Sequence, residues 1–254
     1  MSQLHPRIKP MVDAHCHLDL YKDPAHVVAE AEANKVYTIA VTNAPSVFRH
    51  TQALVEGTRY ARPAVGLHPE LVHTHGHQLD MLRVFLKETR YVGEIGLDYS
   101  TTVHTIRQAQ REALSQILTW CAEYKDKILT LHSRKAAADT IAAVGKDYPG
   151  KVILHWFSGN VKELEQAVSH GMYFSINTAM VNSMKGCALI SHIPAERVLT
   201  ETDGPFIKLL SNPAKPSNID QVLHGLAKNW QISFEEAREK VLTNFRKIIE
   251  LKDQ

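Results

Sequence analysis

TIRQAQREALSQILTWCAEYKDKILTLH, residues 105–132, holds two hydrophobic periods in succession. Ile106, Ala109, Ala113, Ile117 and Cys121 recur at three- and four-residue spacing, the stripe of a helix that lays one face on a core. Trp120 and Tyr124 continue that stripe and are expected in the core. Thr105 and Gln108 have the spacing of a capping box, which predicts the helix start there. Ile128–His132 is a short apolar run and reads as a buried strand. A helix feeding a buried strand is the repeat unit of a parallel sheet.

Working outward, similar short runs recur at Met11–Asp13, Tyr37–Thr42, Pro63–Gly66, Tyr91–Glu94, Val152–His155, Tyr173–Ile176 and Val198–Glu201. With Ile128–His132 they make eight strands. Asn160 with Glu163 predicts a second capped helix that Gly171 closes, and Ser233 with Glu236 predicts the last helix, carrying Phe234, Ala237, Val241 and Phe245. Eight such units in a chain of 254 residues predict an α/β fold of the TIM (β/α)8 barrel type. An open doubly wound sheet is the rival, but the Gly-rich phosphate turn expected after its first strand is absent. No linker, low-complexity segment or fixed-period repeat interrupts the pattern, so a single domain over 1–254 is expected.

The chain is 44% hydrophobic and 22% charged, with a net charge of +2, which excludes a disordered tail and a strongly basic nucleic-acid coat. Cys16, Cys121 and Cys187 are odd in number and lack CxxC spacing, so neither a disulfide framework nor a thiolate zinc site is indicated. The opening residues lack the apolar segment of an export signal, and no apolar run approaches about 18 residues. A cytoplasmic protein with no membrane partner is expected.

In a barrel of this kind chemistry sits where strands end at the C-terminal face. His15 and His17 lie at the end of the first strand, and positions two apart in extended chain point the same way. Glu94 ends the fourth strand, His132 the fifth and His155 the sixth, while Asp203 follows the eighth. Six nitrogen and oxygen donors from five strands therefore converge on one rim. They are too many for one open catalytic ion and suit two divalent ions, with Glu94 between them as a bridge. Such a pair, about 3.5–4 Å apart, can activate water and polarise a phosphoryl oxygen, with Asp203 and Glu94 as the catalytic carboxylates. The donor types are compatible with zinc, manganese, nickel or iron, and magnesium favours oxygen-richer shells.

Other residues on the same rim suit a substrate. His68 follows the third strand, Arg134 can clamp a phosphate, and Trp156 and Phe157 can stack a base. Lys185, Lys208 and Lys215 fall in rim-side connections that can steer a polyanion. The denser cluster HTHGH, residues 73–77, sits in a polar stretch and is expected to be a solvated loop.

The segments DAHCHLD, VGLHPE, GEIGLDY, LHSR, HWFSG and ETDGP, in that order over residues 12–205, resemble the TatD family of metal-dependent deoxyribonucleases within the amidohydrolase-like barrels. Glu94 stands where many amidohydrolases carry a modified lysine, which favours TatD over dihydroorotase or urease types. The resemblance implies that His15, His17, Glu94, His132, His155 and Asp203 bind two divalent metal ions (Zn, Mn, Mg or Ni) and that DNA is the substrate. HCHLDLY with GLHPEL, LHWFSG and LTETDGPF is similar to the QatD group of TatD-like proteins, which implies an anti-phage defence system with the ATPase QatA, QatB and the QueC-like QatC as partners. Two positions depart from the TatD pattern: Trp156 replaces a cysteine, and KLLSNPAKPSN, residues 208–218, replaces an Arg-Asn-Glu-Pro-like stretch. Hydrolysis of an amide or ester, as in an aminoacyl-tRNA deacylase, and a mainly structural subunit of a defence complex remain as alternatives.

Overall fold

The computed structural model describes residues 9–250; the two ends of the expected domain, 1–8 and 251–254, lie outside the described residues. Eight strands form one parallel sheet in sequence order: β1 Met11–Cys16, β2 Val36–Ala40, β3 Ala61–Val65, β4 Tyr91–Gly96, β5 Ile128–His132, β6 Lys151–His155, β7 Tyr173–Ile176 and β8 Val198–Thr200. Helices follow the strands and pack outside them, and the largest apolar cluster fills the space between. This is a nearly closed (β/α)8 barrel. A two-stranded hairpin, β9 Lys208–Leu209 and β10 Asn212–Pro213, stands after β8. Among the described residues no helix is long and apolar enough to cross a membrane.

The seam between β1 and β8 is held by polar groups. Thr200 Oγ1 donates to the Val12 carbonyl, Thr202 N donates to Asp13 Oδ1 at 2.9 Å, and Asp203 N donates to the His15 carbonyl at 3.0 Å. His17 N completes the set by donating to the Gly204 carbonyl at 2.8 Å. These bonds place the β1 histidines beside the segment that carries Asp203.

Two strands break register where they carry a donor. β1 shifts between Asp13 and Cys16 against β2, and β4 shifts between Val92 and Ile95 against β5. An irregularity of this kind re-aims a side chain that regular pairing would point elsewhere. Glu94 therefore lies inside β4, which runs on to Gly96, rather than ending it. The backbone around Glu94 is locked by Glu94 N donating to Thr42 O and Thr42 N donating to Gly93 O, both at 3.0 Å. Gly66 makes this possible: a Cβ there would lie 2.3 Å from both Glu94 N and Thr42 O.

Sequence-based boundaries differ elsewhere in ways the local contacts explain. The long helix begins at His104, with Val103 as its N-cap and no side-chain cap, so the expected Thr105 capping box is not formed. Arg107 draws the preceding loop in through the carbonyls of Thr101 and Tyr99, and Gln108 is spent on Glu112 and Arg111. The boxes at Asn160–Glu163 and Ser233–Glu236 are both present. Residues 72–78 form two short helical turns rather than a loop, with His73 and His77 exposed as expected. Trp120 and Tyr124 pack half-buried against the core under Arg83 and Lys127.

Candidate metal centre

At the C-terminal mouth of the barrel the side chains of β1, β4, β5, β6 and the β8 connection meet. His15 Nε2 and His17 Nε2 are 3.3 Å apart, and both approach Glu94 Oε2, at 3.4 and 3.3 Å. Asp203 Oδ1 lies 3.8 and 3.7 Å from the same two nitrogens. The other carboxylate oxygen, Glu94 Oε1, faces His132 Nδ1 at 2.7 Å, His68 Nε2 at 3.4 Å and His155 Nε2 at 3.5 Å. One carboxylate is thus shared by two groups of imidazoles.

These spacings fit cations. Donors bound at about 2.0–2.2 Å in a tetrahedron lie about 3.3–3.6 Å from one another, which is the separation seen around Glu94 Oε2. His15, His17 and Glu94 can enclose one ion, and His68, Glu94 and His132 another. His155, Glu201 and His15 form a third close set, but Glu201 has no lone pair to spare. Its oxygens accept from His155 Nδ1, Trp156 N, Ser175 Oγ and Asn177 Nδ2. Glu201 therefore holds the ring of His155 so that Nε2 faces Glu94.

His15 and His132 are oriented in different ways, whereas His17 Nδ1 is buried without a hydrogen-bond partner among the described residues. His15 Nδ1 pairs with Thr130 Oγ1 at 2.7 Å across the barrel, which leaves Nε2 for the centre. His132 is gripped through Nε2 by Asp98 Oδ2 at 2.7 Å and turns Nδ1 inward. Gly96, at φ +141°, allows the strand to pass His132, whose carbonyl oxygen a Cβ would meet at 2.1 Å.

The electrostatics divide the ring. Burial, together with His155 stacked 3.8 Å away, pushes the His15 imidazole down to about 3. Burial alone would do the same to His155 and His132. The carboxylates of Glu201, Asp203 and Glu94 outweigh it at His155, raising it to about 10, and Asp98 and Glu94 outweigh it at His132, raising it to about 9. Burial, with Glu201 and Glu94 adding repulsion, pushes the Asp203 carboxyl up to about 8. A buried ring this rich in carboxylates requires positive charge, as protons or as cations.

With this geometry established, similarity to known proteins follows. The family described as TatD related DNase matches residues 12–250. The chain belongs to the TatD family. Human deoxyribonuclease TATDN3 is 27% identical over 260 residues, covering 94% of each chain. The 3′-5′ ssDNA/RNA exonuclease TatD of Edwardsiella piscicida is 37% identical over 133 residues, half of each chain. YJJV, a TatD homolog of Escherichia coli k12, shares the fold with a TM-score of 0.85 at 24% identity, over 95% of this chain and 98% of its own. Membership makes the chain a metal-dependent hydrolase.

The TatD-type ring opens into a cleft of about 540 Å³. His68, Arg134 and Trp156 line it, and so do Asn43 and Phe206, which sequence reasoning did not single out. Arg134 is exposed, and among the described residues no carboxylate pairs with its guanidinium. Trp156 is 39% exposed and sits at φ +38°, a left-handed conformation that bulky residues rarely adopt. Phe206 meets His17 edge-on, with 4.9 Å between ring centroids.

Three expectations need correction. Phe157 does not reach the rim: it is buried against Phe174, because the turn at Trp156 sends the next side chain under the connection. Lys215 is not free for a polyanion, since its ammonium pairs with Glu30 at 2.9 Å. Glu201, expected as the last residue of β8, lies past it and serves the ring. Lys185 and Lys208 are exposed as expected.

Proposed function

We propose that this chain is a phosphodiester hydrolase that uses two divalent metal ions and acts on DNA. The observation that carries the reading is Glu94, whose two oxygens face two separate imidazole groups. His15, His17, Glu94 and Asp203 would hold one ion, and Glu94, His132 and His155 the other, with His68 beside it. Bound ions supply charge that activates water and stabilises the leaving oxygen, which also attracts a polyanion to a chain of low net charge. Asp203, beside the two β1 imidazoles, would orient the attacking water and accept its proton. Arg134 pairs with phosphate oxygens, and Trp156 with Phe206 offers aromatic faces to bases. The open cleft with aromatic and cationic walls supports a strand over a small acyl substrate, which would favour a closed pocket.

The motifs shared with the QatD group support a narrower role as the nuclease component of a bacterial anti-phage defence system. QatA, QatB and QatC would then be partners, and the chain would work in the cytoplasm. Co-purification from cells expressing all four components tests this role, and loss of defence in a Glu94→Gln strain that still assembles the complex separates chemistry from scaffolding.

The central test uses protein stripped of metal and reloaded with Zn, Mn, Mg or Ni in turn. End-labelled single- and double-stranded DNA and an aminoacyl-tRNA are offered side by side. Cleavage of DNA that returns with one or more of these ions is expected. Turnover of the acyl substrate alone overturns the reading.

A further inference from the structure

Beside the metal centre lies a second recess of about 320 Å³ that shares Ser133 and Ser158 with the main cleft. Lys135, from the connection after β5, and Lys185, from the helix Met184–His192 after β7, line it together with Asn160 at the start of the helix Val161–Ser169. Lys185 Nζ donates to the Ser158 carbonyl at 3.3 Å, which keeps its ammonium at the edge common to both cavities. Lys135 has no ion pair among the described residues and sits at φ +55°, a conformation uncommon for any residue with a Cβ. Glu163 also lines the recess, and one of its carboxylate oxygens accepts from the Asn160 backbone N–H at 2.7 Å. Two ammonium groups therefore stand against one carboxylate that already has a donor.

Ser133 adds a hydroxyl between the two cavities. It is only 4% exposed, lines both cavities, and its hydroxyl has no hydrogen-bond partner among the described residues. The hydroxyl is thus open toward the cavities and free to donate to a group arriving there. The group that suits a hydroxyl and two ammonium ions is a phosphate.

We propose that Lys135, Lys185 and Ser133 form a subsite for the phosphate adjacent to the one being hydrolysed in a nucleic-acid strand. The proposal rests on the phosphodiesterase reading for the identity of the neighbouring site. It makes the preferred substrate a chain with at least two phosphates, because a lone diester fills only the main cleft. Strand length is then sensed through the connections after β5 and β7, apart from the ring itself.

The test begins with metal-stripped protein, so that binding is read without turnover. Anisotropy of a short labelled oligodeoxynucleotide is followed across salt for the wild type, Lys135→Gln/Lys185→Gln, Lys135→Arg/Lys185→Arg and Ser133→Ala. The glutamine pair should weaken binding about tenfold or more and flatten the log–log salt dependence by about one. The arginine pair should restore both, and Ser133→Ala should weaken binding without lowering Tm. In metal-loaded protein, the ratio of kcat/KM for the oligonucleotide to that for bis(para-nitrophenyl) phosphate should fall about tenfold in the glutamine pair, in line with its loss of binding. An unchanged affinity, salt slope or ratio in that pair overturns the subsite, as does a wild type that fails to bind at low salt. A wild type that binds through these lysines yet cleaves neither substrate leaves the subsite standing and overturns the phosphodiesterase reading.

Discussion

The two halves of the ring are made of the same residue types and behave differently. The half around His15 and His17 is nearly sealed from solvent, and its orienting contact for His15 is a neutral hydroxyl, Thr130. The half around His132 and His155 borders the cleft and is backed by carboxylates, Asp98 and Glu201. Burial keeps His15 neutral, whereas the backing carboxylates keep His132 and His155 protonated up to about 9 and 10. What differs is the layer behind the ligands. On the two-ion proposal it would leave the deep half ready for a cation, whereas in the open half a cation would have to displace protons.

The harshest way to break this contrast is Glu94→Gln, because that side chain belongs to both halves. Metal-dependent cleavage should be abolished with the circular-dichroism spectrum unchanged, and near-normal turnover would refute the shared carboxylate. Asp203→Asn removes the carboxylate beside His15 and His17 and should lower kcat by about 10²–10⁴-fold. A tight equivalent of metal should survive that change, as measured by titration into stripped protein.

Glu201→Gln and Asp98→Asn remove the carboxylates that back the open half. Each should weaken the second equivalent of metal by about 10–100-fold while the first binds as before. Equal weakening of both equivalents would show that the halves are one site. Trp156→Ala, on the cleft wall next to His155, should raise KM for single-stranded DNA about tenfold by losing one stacked base, with kcat little changed.

The smallest effect is on stability. His132 and His155 have folded pKa values above the unfolded value of about 6.5, so their contribution is fully present below that pH and is lost as pH rises through about 9 and 10. Asp203, raised to about 8, disfavours folding increasingly as pH climbs from about 4 toward 8. His15, lowered to about 3, adds stability only as pH rises from about 3 to 6.5. Between pH 7 and 9.5 the chelated protein should therefore lose Tm by a few degrees, by scanning calorimetry, and manganese or zinc should flatten the slope.

The eight barrel strands and two of the three expected capping boxes were legible because each is encoded within a dozen neighbouring residues. The side chains that meet around Glu94 were legible too, since an apolar run ending in His, Glu or Asp is a local pattern. Their partners were not. Thr130 serves His15 from 115 positions away, and Glu201 serves His155 from 46 away, so nothing near either one marks the role. Glu201 stood two residues before Asp203 in ETDGP, where alternation already places both on one face, and that spacing was the available signal. The misplaced helix start at Thr105 shows the converse: a correct local pattern lost to Arg107, which is committed to the preceding loop.

The polar seam has a bearing on biosynthesis. Val12 and Thr200, bonded across it, are 188 positions apart, so the amino-terminal histidines leave the ribosome long before their companions exist. A chain released early carries an unfinished mouth, in which the β1 histidines lack the carboxylate of Asp203.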